Sequence, residues 1–209
     1  AIVDHVGSKA GMDYYSSSLA KGFVESGCEC SVFSNFMGID SESIKYHTFY
    51  EGHSKDNPFL KFTKFILATI KSSYISKQRQ VDLVIVHLFS ANIITLLLLF
   101  IPRLFGLKVA VISHDISSFV DNDNSLIQNL IYNTLSNYII VHNQFSFQEL
   151  IHNLTIKDQG KVVIIKHGGY LDHIGKSTGK SSIRKQLKLE DDGKYMLFFG
   201  QIKDVKGLD

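Results

Sequence analysis

The chain has 209 residues, 44% of them hydrophobic and 20% charged, with 22 basic and 20 acidic side chains and a formal net charge of +2. This balance gives no bulk attraction to nucleic acid, and the length supports one large or two modest domains without disulfides or metals. The most apolar run, "IITLLLLFI" from Ile93 to Ile101, is far shorter than the ~20 residues a helix needs to cross a bilayer.

Short apolar runs alternate with longer helical patterns, the signature of a doubly wound, mostly parallel α/β sheet of Rossmann-like type. The first strand is expected near Ala1–Val6, followed by the turn "HVGSKAGMDYY" and a helix over Met12–Ser26. Gly7 and Gly11 let the backbone of that turn approach a ligand, and the helix start offers unpaired N–H groups to a phosphate. The G-x-x-x-G spacing is not the dinucleotide fingerprint. Gly27 is placed as the helix C-cap, and a strand near Glu29–Ser34 follows. Cys28 and Cys30, two apart, share a face there with parallel side chains, so reduced thiols and a cytoplasmic setting are expected.

A strand near Ile44–Phe49 precedes a helix over Phe59–Lys77, started by Pro58. Phe59, Leu60, Phe62, Phe65, Ile66 and Ile70 make a broad apolar side, with Lys61, Lys64, Lys71 and Lys77 around the rest. The favoured reading is a sheet-covering helix with lysines on its wet side. The alternative is peripheral contact of residues 58–79 with the inner face of an anionic membrane. Strands are then expected near Leu83–His87, Val109–Ser113, Tyr138–His142 and Val162–Lys166, and helices over Asn92–Phe105, Ser125–Leu135 and Gln144–Asn153. The run "IITLLLLFI" reads as a buried core helix ending at Pro102-Arg103, with Gly106 as its cap.

After Tyr170 the composition turns polar, with a short helical patch near Ser182–Leu187. "GYLDHIGKS" fails the P-loop spacing by one residue, and the second "GKS" lacks its leading glycine. "YMLFFG" then restarts as a buried strand. The expected organisation is an α/β domain over 1–172, a linker over 173–192, and the first strand and turn of a second α/β domain over 193–209.

Five strand-like runs finish on a histidine: His5, His87, His114, His142 and His167. In an open doubly wound sheet the ligand crevice lies beyond the carboxyl ends of the strands, so these residues share one rim. One such histidine is more often structural; five together mark the edge as facing a ligand, suited to acid–base work and to anionic or hydroxylated groups. Neither HExxH nor His-x-His occurs, and Asp4 and Asp115 are the only carboxylates beside these strand ends, so no metal is expected. His114, followed by Asp115 and the loop "ISSFVDNDNS", is the first choice for contacting a reacting hydroxyl. Asp13, Tyr14, His87, Asp115 and His167 are further acceptor-side candidates.

The stretches "AGMDYYSSSLAKGFVESGCECSVFS", "VISHD", "VIIKHGGYLD" and "LFFGQIKDVKGLD", in that order and at those intervals, resemble the retaining glycosyltransferases of GT-B fold, family 4 (glycosyl transferases group 1). The resemblance covers the whole chain and implies the N-terminal half of a GT-B fold, a Rossmann-like acceptor-side domain followed by the first strand and turn of a nucleotide-sugar-binding domain. It implies a nucleotide-sugar donor, a glycan or polyprenyl-linked acceptor and no cofactor. Gly11 would approach the donor diphosphate, His114 would sit by the acceptor hydroxyl and the transferred sugar, and Lys206, helped by Lys203, would neutralise the leaving diphosphate. Two positions depart from the family pattern: Gln201 stands where many members have arginine, and Ala10 precedes Gly11 in place of a second glycine. The family's paired-glutamate motif would lie beyond residue 209, so this chain alone is expected to be nearly inactive. A GT-B nucleotide-sugar epimerase, a receiver-like module and a membrane-docking module are the competing readings.

Overall fold

The computed structural model describes residues 1–8, 11–38, 40–50, 57–114, 116, 125–154, 156–168, 179–190 and 193–196. Seven strands form one sheet: β1 (Ile2–Asp4), β2 (Cys30–Ser34), β3 (Ile44–Thr48), β4 (Val84–Leu88), β5 (Val109–Ser113), β6 (Tyr138–Val141) and β7 (Val162–Ile164). Every neighbouring pair is parallel, in the order β3-β2-β1-β4-β5-β6-β7. The chain begins mid-sheet, winds outward through β2 and β3, then returns to wind the other way from β4. The reversal lies between β1 and β4, where an open parallel sheet leaves its ligand crevice. The doubly wound Rossmann-like sheet anticipated from the alternating pattern is the one that forms.

Alternation along the strands assigns the two faces. Val84, Val86 and Leu88, with Val109, Val111, Ile139 and Val141, pack against α2 (Pro58–Gln78), α3 (Ile93–Leu104) and α5 (Gln144–Leu154). Ile85, Ala110 and Ile112, and farther along Ile2 and Val32, pack against α1 (Met12–Glu25). With both faces covered, the strands read as unbroken apolar runs. On α1 the inward stripe is Met12, Tyr15, Ser16, Leu19, Ala20 and Phe23, at spacings of three and four.

Helix ends follow their local chemistry. Asn57 and Asn92 cap α2 and α3 by accepting from the N–H groups of Leu60 (2.8 Å) and Thr95 (3.1 Å). α1 closes on Gly27 at φ 84°, where Cys28 N–H donates to the Phe23 carbonyl and Gly27 N–H to that of Val24, both at 2.9 Å. Gly106 closes α3 in the same way, at φ 74°. α2 uses the same two-bond ending on a residue with a Cβ, Gln80 at φ 53°.

Several boundaries differ from the sequence expectation. β4 runs one residue further, to Leu88, which leaves His87 inside the strand. β7 stops at Ile164. The Ser125–Leu135 segment is α4 (Ser125–Asn129) continuing into a π-helix over Leu130–Leu135, whose wide last turn closes with Ser136 N–H on the Ile131 carbonyl at 3.0 Å. That segment brings the buried Tyr132 hydroxyl to Ser113 Oγ at 2.8 Å. α3 continues past Pro102 to Leu104, because a proline in the last turn forfeits little helical bonding. It is buried on one side only, through Leu98, Leu99 and Ile101, while Ile93, Phe100 and Leu104 face outward.

The larger correction concerns α2. Its buried seam is Ala68, Thr69, Ser72, Ser73 and Ser76, while Phe59, Leu60, Phe62, Leu67, Ile70 and Tyr74 are exposed. Of its aromatics Phe65 reaches inward, packing on Tyr50 and on the edge of His5. Three of the four hydroxyls in this seam find a helix carbonyl: Thr69 donates to Phe65 O (2.9 Å), Ser73 to Thr69 O (2.7 Å) and Ser72 to Thr69 O (3.0 Å), while the buried Ser76 Oγ has no partner among the described residues. The helix covers the sheet and leaves Lys61, Lys71 and Lys77 exposed, as favoured, but it does so through its small polar side and not through the apolar one.

The chain divides into two compact units, Ala1–Gly168 and Gly169–Asp209. The second contains α6 (Lys180–Gln186), over the expected helical patch. There the Arg184 guanidinium donates to the carbonyls of Glu190 (3.3 Å) and Gly193 (2.9 Å) and lies over the Tyr195 ring. Residues 193–196 form no strand, and the remainder of the expected strand lies outside the described residues. Among the described residues no helix is long and apolar enough to cross a membrane.

Candidate functional site: an imidazole cluster on the carboxyl edge

Strand parity decides which histidines meet. His114 lies two residues beyond Ile112 and His142 two beyond Ile140, residues that pair across β5 and β6 and share the α1 face. His87 pairs with Ile112 and therefore sits on the same face, one pleat deeper. His167 extends the series beyond β7. The four rings surround Tyr15 of α1, with ring centroids 5.2 Å (His87), 5.3 Å (His114), 5.9 Å (His142) and 5.1 Å (His167) from the phenol. His5 has the opposite parity. It follows Asp4, faces α2 against Phe65, and leaves Nδ1 buried with no partner among the described residues.

Behind the rings runs a polar chain. Asp4, fully buried, accepts at Oδ1 from the N–H groups of Val6 (3.1 Å) and Gly7 (2.7 Å), and at Oδ2 from the Ser16 hydroxyl (2.6 Å). Ser16 Oγ is 3.3 Å from His87 Nε2, and His87 Nδ1 is 3.1 Å from His114 Nε2. Phe89 stacks on His114 with centroids 4.6 Å apart and planes 5° from parallel. His142 donates from Nδ1 to the Ile165 carbonyl at 2.9 Å, which turns Nε2 toward the Tyr15 hydroxyl at 3.5 Å. His167 donates from Nδ1 to the Gly168 carbonyl at 2.7 Å.

Burial sets the charge state here. His87 has no accessible surface, and desolvation, reinforced by His5 and His142, lowers its pKa to about 3. Desolvation also lowers His114 to about 3, with His87, His142 and His167 adding to the effect and Asp4 opposing it. Burial lowers His5 as well, against the pull of Asp4. Near neutral pH, His87 and His114 are uncharged rings that act through their lone pairs and N–H groups.

The other site candidates fall as follows. Gly11 stands at φ 78° immediately before α1, and its carbonyl accepts from Tyr15 N–H at 3.3 Å. Asp13 lies in the first turn of α1 and Tyr14 is exposed, while the ring cluster centres on Tyr15. Asp115, Lys203 and Lys206 lie outside the described residues. Tyr15, Ser16 and Asp4 were not among the sequence candidates. The apolar spacing of Met12, Leu19 and Phe23 on α1 would have turned Tyr15 and Ser16 toward the sheet. Among the described residues no three His, Cys, Asp or Glu side chains are placed to hold a metal ion.

Beside the cluster, at the β1/β4 reversal, His5, Val6, Met12, Phe89, Ile94 and Thr95 line a hollow of about 270 Å³. A larger one, about 570 Å³, opens at the opposite end of the sheet near Cys30, Lys45 and Arg79, away from every histidine of the cluster. The smaller one stands where sheet topology places ligands.

A parallel sheet reversing between β1 and β4, with four imidazoles gathered at its carboxyl edge, defines a Rossmann-like domain. No family model and no curated protein matches the sequence. Among solved structures, a glycosyltransferase from Rickettsia africae ESF-5 superposes with a TM-score of 0.60 at 20% identity, over 91% of this chain and 50% of that one. The UDP-GlcNAc 2-epimerase of Methanocaldococcus jannaschii superposes with a TM-score of 0.51 at 11% identity, over 78% of this chain and 44% of that one. The fold is that of a Rossmann-like half of a GT-B protein, and the chain spans about half the length of the structures it matches.

Proposed function

We propose that this chain is the acceptor-side half of a glycosyltransferase that moves a sugar, with retention, from a nucleotide-sugar donor to a glycan or lipid-linked acceptor. The observation that carries the reading is the gathering of four imidazoles around Tyr15 at the carboxyl edge of a GT-B-type sheet. The motifs resembling family 4 and the fold shared with the Rickettsia glycosyltransferase support it. In this reading the uncharged His114 receives the acceptor hydroxyl, Gly11 approaches the donor diphosphate, and Lys206 with Lys203 neutralises the leaving diphosphate without a metal. The expected setting is synthesis of surface polysaccharide or glycolipid on the cytoplasmic side of a membrane.

The test is nucleotide-sugar turnover by the full-length protein, followed as release of nucleoside diphosphate with and without acceptor sugars. His114→Ala should lower turnover by about 100-fold, the range of a lost proton-handling group, with the fold intact. Unchanged turnover would remove His114 from the mechanism. The similarity to a 2-epimerase favours a second reading; an epimerised or hydrolysed nucleotide sugar formed without any acceptor would select it.

The reversed polarity of α2 supports a membrane-bound acceptor. Phe59 is 78% exposed, Leu67 54% and Tyr74 55%, while α2 carries four lysines and no acid. The neighbouring α3 exposes Ile93, Phe100 and Leu104. Apolar side chains fringed by lysine fit the boundary of an anionic bilayer. The protein should float with phosphatidylglycerol vesicles and lose that association on charge reversal at Lys61 and Lys64. Flotation that survives the reversal would rule out electrostatic docking.

A further inference from the structure

We infer that Asp4, Ser16 and His87 are positioning residues that lock His114 in its Nε2–H tautomer and hold Nδ1 open as a hydrogen-bond acceptor. The inference deepens the role proposed for His114 and rests on it only where activity is concerned.

The direction of each bond follows from the number of protons available. Asp4 is met by three donors, two backbone N–H groups and one hydroxyl, so it acts as acceptor on both oxygens. Ser16 has a single hydroxyl proton, and the 2.6 Å contact commits it to Asp4. Its oxygen can therefore only accept from His87, which must carry its proton on Nε2. An uncharged His87 then has a bare Nδ1, and the 3.1 Å contact there requires a proton on His114 Nε2. An uncharged His114 is left with its lone pair on Nδ1, which meets no partner among the described residues. One buried carboxylate thus sets the polarity of three successive bonds, and the last ring presents an acceptor to a hydroxyl. The neighbouring titratable groups facing this chain are Tyr15, His5, His142 and His167. The bonds that link Asp4, Ser16, His87 and His114 to one another are the three that set its direction.

An isosteric change at the far end should reverse every link. In Asp4→Asn the carbonyl oxygen would keep the Val6 and Gly7 N–H groups, and the amide would become a donor to Ser16. Ser16 would then donate to His87 Nε2, His87 Nδ1–H to His114 Nε2, and His114 Nδ1 would carry a proton. Long-range ¹⁵N–¹H correlation spectra of the imidazoles distinguish protonated from bare nitrogens directly. The expected result at pH 7.5 is Nε2–H for His87 and His114 in the wild type and Nδ1–H for both in Asp4→Asn.

Should Asp4→Asn not fold, Ser16→Ala cuts the chain instead, and both rings should then show mixed tautomers. A wild-type His114 protonated at Nδ1, or tautomers unchanged in the folded variants, would overturn the inference. Turnover separates it from the functional proposal: with the tautomers reversed, activity should fall at least tenfold, while unchanged activity would leave the chain of bonds standing and dismiss His114 as the hydroxyl acceptor.

Discussion

Lowering the pH from 7.5 to 5 should destabilise the protein through its buried histidines, by an amount that can be worked out. His87 and His114 have folded-state pKa values of about 3, against an ordinary value near 6.5. Below pH 6.5 the unfolded chain takes up protons that the folded chain refuses. Stability is therefore lost as pH falls from about 6.5 toward 3, and is complete above 6.5. At pH 5 each group is roughly 1.5 pH units below its unfolded pKa, worth about 2 kcal/mol, so the hydrogen-bonded pair contributes about 4 kcal/mol. The lowered His5 acts in the same direction. With a urea dependence of about 2 kcal/mol per molar, the unfolding midpoint should drop by about 2 M between the two pH values at fixed ionic strength. Circular dichroism during urea titration measures it. In His87→Gln the pH-dependent loss should be about half as large. A wild-type midpoint that moves by less than about 0.5 M would refute the reasoning, because it would mean that these rings can take up protons in the folded state.

Two stability measurements address helix α2. Leu67→Ser removes an outward side chain and should cost less than about 0.5 kcal/mol, whereas Ser73→Leu enlarges the buried seam and should cost about 1–3 kcal/mol; the opposite order in thermal denaturation would mean the helix faces the other way. Gln80→Gly relieves a side chain held at φ 53° at the end of the same helix and should gain up to about 1 kcal/mol, seen as a raised urea midpoint.

Much of the architecture was legible because parallel sheets write it plainly. Unbroken apolar runs such as "VIV" at Val84–Val86 need cover on both faces, and glycine after a helix, as at Gly27 and Gly106, marks its end. The histidine rim was legible as a set, but its internal geometry depends on parity. Counting two residues on from Ile112 and from Ile140 puts His114 and His142 together, while an odd step from Ile2 sends His5 to the other face. Tyr15 and Ser16 were missed in favour of Asp13 and Tyr14, although the period of α1 turns the former pair inward. The polarity of α2 could not be read from periodicity. Thr69, Ser72 and Ser73 satisfy carbonyls of their own helix and so can be buried cheaply, which defeats the rule that the apolar side of a helix faces the core.

That serine-lined seam has a consequence for how the domain can vary. A leucine-lined helix is held by interlocking shapes, and its seat is specified residue by residue. α2 instead rests on a nearly smooth strip of alanine, serine and threonine side chains, with Phe65, touching Tyr50 and His5, and Ile75 as its larger inward residues. The outer face is thereby released from any duty to the fold, so its aromatic and lysine residues are free to answer to whatever meets them from outside.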